Sequence, residues 1–190
     1  MPQFTKKAIT ESFLKLLSQK SFDKITIGDI VDDCGVSRNS FYYYYMDIFD
    51  LMDDVFKTET EKALKAKIDA AEWDDALISA LQFSLLHRKQ IANVYNSSCR
   101  DRVENYLIRV TEKVLNDYVE QQAKGLYTTA VDRSYIARFY TYALLGMLRE
   151  LMDKGFKDDT EAVIRRVGTL MKDTVHIALI NSDRRNSEFR

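Results

Sequence analysis

The chain has 190 residues, of which 46% are apolar and 30% charged, and its net charge is −1. That much apolar material builds one mid-sized domain, or a small one joined to a larger one, and excludes extended disorder. The near-zero charge excludes any argument for nucleic acid from bulk electrostatics. The single proline is Pro2 and only six glycines occur, so no Pro/Gly-rich linker divides the chain and helix is expected to dominate. No apolar run approaches the ~18 residues of a membrane span. The start, "MPQFTKKAITESF", lacks the apolar block of a signal peptide, so the expectation is a cytoplasmic protein with no membrane partner. Cys34 and Cys99 allow at most one bridge, and Cys34 falls on an apolar helix face where a free thiol acts as a small hydrophobe.

Ile9, Phe13, Leu16 and Leu17 recur at helical spacing over about residues 5–19, Lys20-Ser21 closes that segment, and Phe22 follows as a plug. Thr26 suits the N-cap of a second helix, on which Ile27, Ile30, Val31 and Cys34 fall at i, i+3, i+4 and i+7. Gly35 stops it. Only Val36 separates Gly35 from Ser37, a further N-cap, so the two short helices must cross steeply. Asp47 begins the next helix, with Asp50 near its N-terminus and Ile48, Leu51, Met52 and Val55 on its inner face. It is expected to run on through "KTETEKALKAKIDAAE" as a partly solvated connector.

From Trp73 the helices lengthen. Leu77, Leu81 and Leu85 predict one over about 74–88, Ile91, Val94 and Tyr95 a short one after it, and Val103, Leu107, Val110 and Val114 one that ends before Gly125. Asp132 is read as the cap of "RSYIARFYTYALLGMLRELMDKG", which Gly155 ends, and Asp158-Asp159 as the start of a last helix. The final "NSDRRNSEFR" reads as a frayed tail. No alternating strand pattern and no internal repeat is found. The expected fold is all-α with about nine helices. It comprises an N-terminal three-helix helix-turn-helix domain (1–50), a larger C-terminal helical domain (51–184), and a flexible tail (185–190).

On the helix that begins at Ser37, Phe41 and Tyr45 share the inner face, leaving Arg38, Asn39, Ser40, Tyr42, Tyr43 and Tyr44 around the other sides. One such tyrosine would ordinarily pack sideways with its hydroxyl in water. A capped helix, a Gly-containing turn and a second helix with Arg, Asn and Ser at its outward N-terminal positions together match a helix-turn-helix, whose second helix enters the major groove. Arg forks onto guanine, Asn onto adenine, and a Ser or Tyr hydroxyl bonds phosphate without adding charge. Neutral donors matter here. In residues 1–50, Lys6, Lys7, Lys15, Lys20, Lys24 and Arg38 are outnumbered by Glu11, Asp23, Asp29, Asp32, Asp33, Asp47 and Asp50, so a modest salt dependence is expected.

Residues 5–51 resemble the DNA-binding domain of the TetR family of bacterial regulators. "ITIGDIVDDCGVSRNSFYYYYMDIFDL" is similar to that family's T-x-x-x-I-x-x-x-x-G-V-S-x-x-x-[FL]-Y-x-[HY]-F-x-x-K-x-x-L, with Thr26, Ile30, Gly35, Val36, Ser37, Phe41, Tyr42, Tyr44 and Leu51 matching. The resemblance implies that the helix from Ser37 reads the groove, that Tyr42 and Tyr44 lie near phosphates, and that Thr26 meets the DNA backbone. The candidate residues for double-stranded DNA are therefore Thr26, Ser37, Arg38, Asn39, Ser40, Tyr42, Tyr43 and Tyr44. Two positions depart from the pattern. Tyr45 stands for the usual Phe, and Ile48 replaces a lysine that touches phosphate in many members, leaving Lys24 or Lys6 as substitutes. The Asp-Ile-Phe-Asp-Leu ending resembles a subgroup that includes regulators associated with dihydroxyacetone kinase genes.

The helix over 132–153 is apolar nearly all round, so it is expected to be covered by its own core on one side and by a second subunit on another. Gly146 in its middle costs roughly 1 kcal/mol against Ala, which a close helix–helix approach would offset. The last helix has a similarly broad stripe. The candidate homodimer interface is Tyr142, Leu145, Gly146, Arg149, Ile164, Val167 and Met171; a monomer with this helix at its centre is the alternative. Candidate pocket residues for an unknown small-molecule effector are Trp73, Phe83, His87, Tyr95, Tyr106, Tyr118 and Tyr140, which join apolar area to polar handles. A protein co-regulator is an equal alternative as the sensed partner. His87, beside Arg88 and Lys89, reads most simply as a helix C-terminal charge.

Two histidines and two cysteines, none at metal-ligand spacing, and no Gly-rich phosphate loop or nucleophile elbow argue against an enzyme; no catalytic residue, metal or cofactor is expected. The adjacent acids Asp32-Asp33, Asp53-Asp54 and Asp158-Asp159 diverge on a helix and read as caps or solvated faces. A helical protein-binding adaptor would lack outward donors on the second short helix, and Arg38, Asn39 and Ser40 argue against it. The function expected is a homodimeric transcriptional regulator, a ligand-responsive repressor acting on a near-palindromic operator, with an activator as the alternative.

Overall fold

The computed structural model describes residues 2–65, 86–155 and 160–187. Among them every regular element is helical: α1 (Pro2–Leu17), a 3-10 turn (Phe22–Lys24), α2 (Ile27–Cys34), α3 (Arg38–Tyr44), α4 (Ile48–Lys65), α5 (Arg88–Tyr95), α6 (Arg100–Gln122), α7 (Ala130–Asp153) and α8 (Thr160–Ser187). Most of the helix expected over 74–88, and the Asp158-Asp159 start of the last helix, lie outside the described residues. No described helix is long and apolar enough to cross a membrane.

The chain divides into two compact units, one of Met1–Asp69 with Leu86–Asp101 and one of Ala70–Leu85 with Arg102–Arg190. This differs from the division expected after residue 50, because α4 and the much later α5 belong with the first unit. In that unit Ile9, Phe13, Ile30, Phe41 and Leu51 are fully buried, and α1 packs against α2, α3 and α5. Phe22 plugs the core as expected, with its ring 6.2 Å from Phe13 and 5.5 Å from Phe49.

Three polar ties hold these pieces together. The buried Ser12 hydroxyl donates to the Ile30 carbonyl (3.2 Å), joining α1 to α2. Asn93 of α5 donates its side-chain amide to the Leu17 carbonyl (2.8 Å), supplying a partner for one of the carbonyls that a helix C-terminus leaves orphaned. Ser98 donates its N–H (3.1 Å) and its hydroxyl (2.6 Å) to the Asp23 carboxylate.

In the second unit α7 packs on α8, and Leu115, Tyr118, Val119, Ala137, Leu144, Val175 and Leu179 form a shared core. Two boundaries differ from expectation. The cap of α7 is Thr129, whose hydroxyl accepts from the Asp132 N–H (3.0 Å) and donates to the Asp132 carboxylate (2.8 Å), so Asp132 is the third helical residue, not the cap. Helix α8 runs through Ser187, past the point where a frayed tail was expected, and Leu179 and Ser182 near that point are still buried.

Candidate nucleic-acid interface

Helix α2 begins with a reciprocal capping box: the Thr26 hydroxyl accepts from the Asp29 N–H (3.1 Å), and the Asp29 carboxylate accepts from the Thr26 N–H (2.8 Å) and hydroxyl (2.9 Å). It ends at Gly35, which takes the left-handed conformation (φ 70°) that a side chain disfavours, with the Val36 N–H reaching back to the Val31 carbonyl (3.1 Å). Ser37 then caps α3 by accepting from the Ser40 N–H (3.1 Å). The left-handed Gly35 and the extended Ser37, with only Val36 between them, turn the chain between the helices.

The seven residues of α3 bury Phe41 at 0% exposure and leave Arg38 and Asn39 exposed, with Tyr42 at 55% and Tyr43 at 79%. Neither the Arg38 nor the Asn39 side chain has a hydrogen bond or ion pair with another described residue. Tyr44 is half-buried, its ring edge-on to Tyr43 at 4.9 Å. The hydroxyls of Ser37 and Ser40 face each other at 2.9 Å, so these two serve the helix cap first, as Thr26 does at α2. Of the eight candidates, Arg38, Asn39, Tyr42 and Tyr43 are exposed without serving a helix cap.

The acids that outnumber cations in this region are nearly all engaged. Asp29 meets Lys20 (3.0 Å), Asp33 pairs with Lys15, Asp54 with Lys6 (3.0 Å) and Glu11 with Lys7 (3.7 Å). Asp47 caps α4 through the N–H groups of Phe49 and Asp50 (2.8 Å each), and Asp50 accepts from the Met46 N–H (3.0 Å). Asp32 alone is exposed without such a tie among the described residues. Apart from Asp32, the local acid excess is thus held in caps and ion pairs. Lys6 is occupied by Asp54, so of the two lysines that could stand in for Ile48, the exposed Lys24 is the freer.

Tyr45, where the pattern has Phe, is buried like a Phe and donates its hydroxyl to Asp54 (2.9 Å). Burial, with the Asp54 carboxylate adding to it, pushes the phenol well above its usual range and keeps it a donor.

The Asp29 carboxyl is lowered to about 2, chiefly by the Thr26 backbone N–H and then by the hydrogen bonds from Lys20 and the Thr26 side chain. A depressed carboxyl stabilises the fold fully above its unfolded value of ~3.9. That contribution is lost as pH falls through the folded value. Thermal midpoints followed from pH 5 downward should therefore fall less steeply for Asp29→Asn than for the unsubstituted chain. Thr26→Ala removes the other half of the box and should cost ~0.5–2 kcal/mol in urea unfolding.

A tight pair of short, side-chain-capped helices, with one presenting unpaired polar side chains at its N-terminal end, defines a helix-turn-helix DNA-binding protein. Residues 9–55 match the model of the bacterial regulatory proteins of the tetR family, and residues 71–173 match the model of a transcriptional regulator C-terminal region of the same group. The chain belongs to the TetR family of transcriptional regulators.

Among curated relatives, the HTH-type dhaKLM operon transcriptional activator DhaS of Lactococcus lactis is 22% identical over 153 residues, 80% of this chain and 81% of that one. The HTH-type transcriptional regulator YxbF of Bacillus subtilis is 35% identical over 77 residues, 40% of this chain and 20% of that one. Among solved structures, the dihydroxyacetone kinase operon activator DhaS superposes with a TM-score of 0.78 at 19% identity, covering 91% of this chain and 97% of that one. A TetR regulator from Streptococcus agalactiae superposes at 0.62 with 20% identity, covering 89% and 94%. These structural likenesses confirm the fold.

The candidate pocket residues are scattered. Trp73 and Phe83 lie outside the described residues. His87 occupies the N-cap position of α5, with Arg88 and Lys89 in the first turn after it. Tyr95 is fully buried in the first unit, under the Arg100 guanidinium (4.2 Å). Tyr118 is buried in the core of the second unit, Tyr140 packs against that core, and Tyr106 is half-buried. An open depression of about 300 Å³ at the start of α7 is lined instead by Ala130, Val131, Ser134, Tyr135 and Arg138.

Of the candidate dimer residues, Tyr142, Gly146 and Arg149 are exposed and Leu145 is half-buried. Val167 is buried in the chain's own core, and the side chains of Ile164 and Met171 lie outside the described residues. Among the described residues nothing approaches Gly146 within 4 Å of where a Cβ would be. Sequence reading missed the continuation of this stripe. Val131, Tyr135 and Phe139 are all exposed at spacing i, i+4, i+8, and lead along one face of α7 to Tyr142, Gly146 and Arg149. On α8 the outward apolar residues are Leu170 and Ile177.

Proposed function

We propose that the protein is a cytoplasmic homodimeric regulator that binds a near-palindromic operator, each copy of α3 entering the major groove with Arg38 and Asn39 at base edges and the outward tyrosines at phosphates. One observation carries this reading: the two most informative donors in the chain's helix-turn-helix are exposed and their side chains have no partner within the described chain, while Phe41 of the same short helix is fully buried. The residues 1–50 would serve DNA together with the early part of α4, and the later helices regulation and dimerisation.

Two arguments support the dimer. The α7 stripe of Val131, Tyr135, Phe139 and Tyr142 exposes more contiguous large apolar side chain than a solvated helix face ordinarily carries. A two-fold pair also sets two reading helices about 34–36 Å apart, one turn of the duplex. An effector, small molecule or protein co-regulator, then shifts the equilibrium between spacings that fit and do not fit the operator. Repression by occupancy is the first reading of the regulatory sign. Activation is the second, and likeness to an activator over 80% of this chain favours it.

Footprinting of the full-length protein on genomic DNA, with the mass of the bound complex measured in parallel, tests the proposal. Two protected half-sites about one helical turn apart, bound by two chains, are expected. One half-site bound by one chain would remove the dimer, and no protected site would remove the operator. Transcript levels of the neighbouring genes with and without the protein decide the sign.

A further inference from the structure

Glycine inside a helix calls for a reason, since it is the least favourable helical residue after proline. Three described helices contain one: Gly28 in α2, Gly146 in α7 and Gly168 in α8. Around Gly146 and Gly168 nothing among the described residues lies within 4 Å of the place a Cβ would occupy. At Gly28 that place is 3.2 Å from Nη2 of Arg38 and 3.4 Å from the Thr26 hydroxyl oxygen. Gly28 has no positive φ, so backbone conformation is not what calls for glycine there. The guanidinium of the first residue of α3 lies on the first turn of α2, in the space a side chain at 28 would take.

No ion pair among the described residues draws the guanidinium to that seat. Arg38 stands in the first turn of its own helix and beside the first turn of α2, where backbone N–H groups carry partial positive charge and a cation is disfavoured. The nearby Asp29 carboxylate is held by Thr26 and Lys20. The absent side chain at 28 leaves room for the guanidinium, and its five donors have no acceptor among the described residues.

We propose that Gly28 is a specificity-determining position: the space it leaves seats the Arg38 guanidinium against α2 and so sets which base pair its fork meets in the groove. The proposal rests on α3 being the groove-reading helix. A guanidinium fork matches O6 and N7 of guanine, so the base pair concerned is G·C. A methyl group at 28 displaces the fork by a few tenths of an ångström without harming the fold, because the crowded atom ends a flexible side chain. A Leu side chain there takes the seat outright.

The test is selection of duplexes from a pool with a randomised core by the full-length protein, by Gly28→Ala, Gly28→Leu and Arg38→Ala, and by Gly28→Leu combined with Arg38→Ala. The expected result is one G·C preference that Arg38→Ala abolishes, that Gly28→Ala weakens several-fold and that Gly28→Leu weakens roughly tenfold or more. Preferences elsewhere stay as they were, and Gly28→Leu adds nothing once Arg38 is Ala. If Arg38→Ala abolishes the preference but the Gly28 variants leave it intact, or act equally without Arg38, the proposal is overturned while the groove reading stands. A uniform loss over all sequences would make Arg38 a phosphate contact and overturn it too. If Arg38→Ala, and Asn39→Ala beside it, leave the selected sequences and affinity unchanged, the groove reading itself fails.

Discussion

Phe41→Ala is expected to lower the unfolding free energy by about 3–5 kcal/mol, the range for removing a large buried aromatic side chain. Helix α3 has only seven residues, far below the length at which a helix persists alone, so docking must hold it. Phe41 is its one buried side chain, its ring 5.7 Å from those of both Tyr42 and Tyr45. A loss of that size is a large share of the ~5–15 kcal/mol that a domain ordinarily has. Phe41→Leu keeps most of the volume and should cost less than about 1.5 kcal/mol. Urea unfolding of the three proteins decides it: a cost for Ala no greater than for Leu would mean that α3 is held by something other than this ring. Duplex binding should fall with Ala and return with Leu.

Asn39→Ala and Arg38→Ala should show the opposite signature. Each is expected to weaken duplex binding by about 1–3 kcal/mol, the worth of one bidentate base contact. Each should leave the unfolding free energy within about 0.5 kcal/mol of the starting value, because neither side chain has a hydrogen-bond or ion-pair partner among the described residues to lose. Tyr42→Phe removes a single hydroxyl and should weaken binding by the smaller ~0.5–1.5 kcal/mol of one hydrogen bond. Binding and stability measured on the same preparations separate the two classes: Phe41 acts through the fold and Asn39 through the groove. If Asn39→Ala lost stability and binding together, Asn39 would belong to the scaffold and not to the reading face.

What local chemistry determines was legible in advance. Thr26, Ser37 and Asp47 cap helices, and Gly35 ends one, because each of these decisions is made within three or four residues by one side chain or one backbone conformation. The inner and outer sides of α3 followed from the four-residue spacing of Phe41 and Tyr45, both buried. Thr129 was missed because both it and Asp132 are capping residue types, and the reciprocal pair they form puts the start at the earlier one.

Assignment of α5 to the N-terminal unit was not legible, since it rests on Asn93 with Leu17 and Ser98 with Asp23, pairings more than seventy residues apart that leave no periodic trace. Nor does a broad apolar stripe say which neighbour covers which part. Val167 turned inward and Leu170 outward on the same helix, and the outward run from Val131 to Phe139 is visible only once the inner face of α7 is known. Asp29 and its neighbours looked like an obstacle to DNA as a charge count, and their engagement in caps and ion pairs is a matter of geometry that no count contains.

The most direct measurement is a binding titration of the full-length protein on a duplex it selects, at one ionic strength, against the variant that carries Arg38→Ala, Asn39→Ala and Tyr42→Phe together. Affinity should fall by about a hundredfold or more, with helix content and oligomeric mass unchanged. An undiminished affinity in a folded variant would contradict the assignment of the outward face of α3 to DNA.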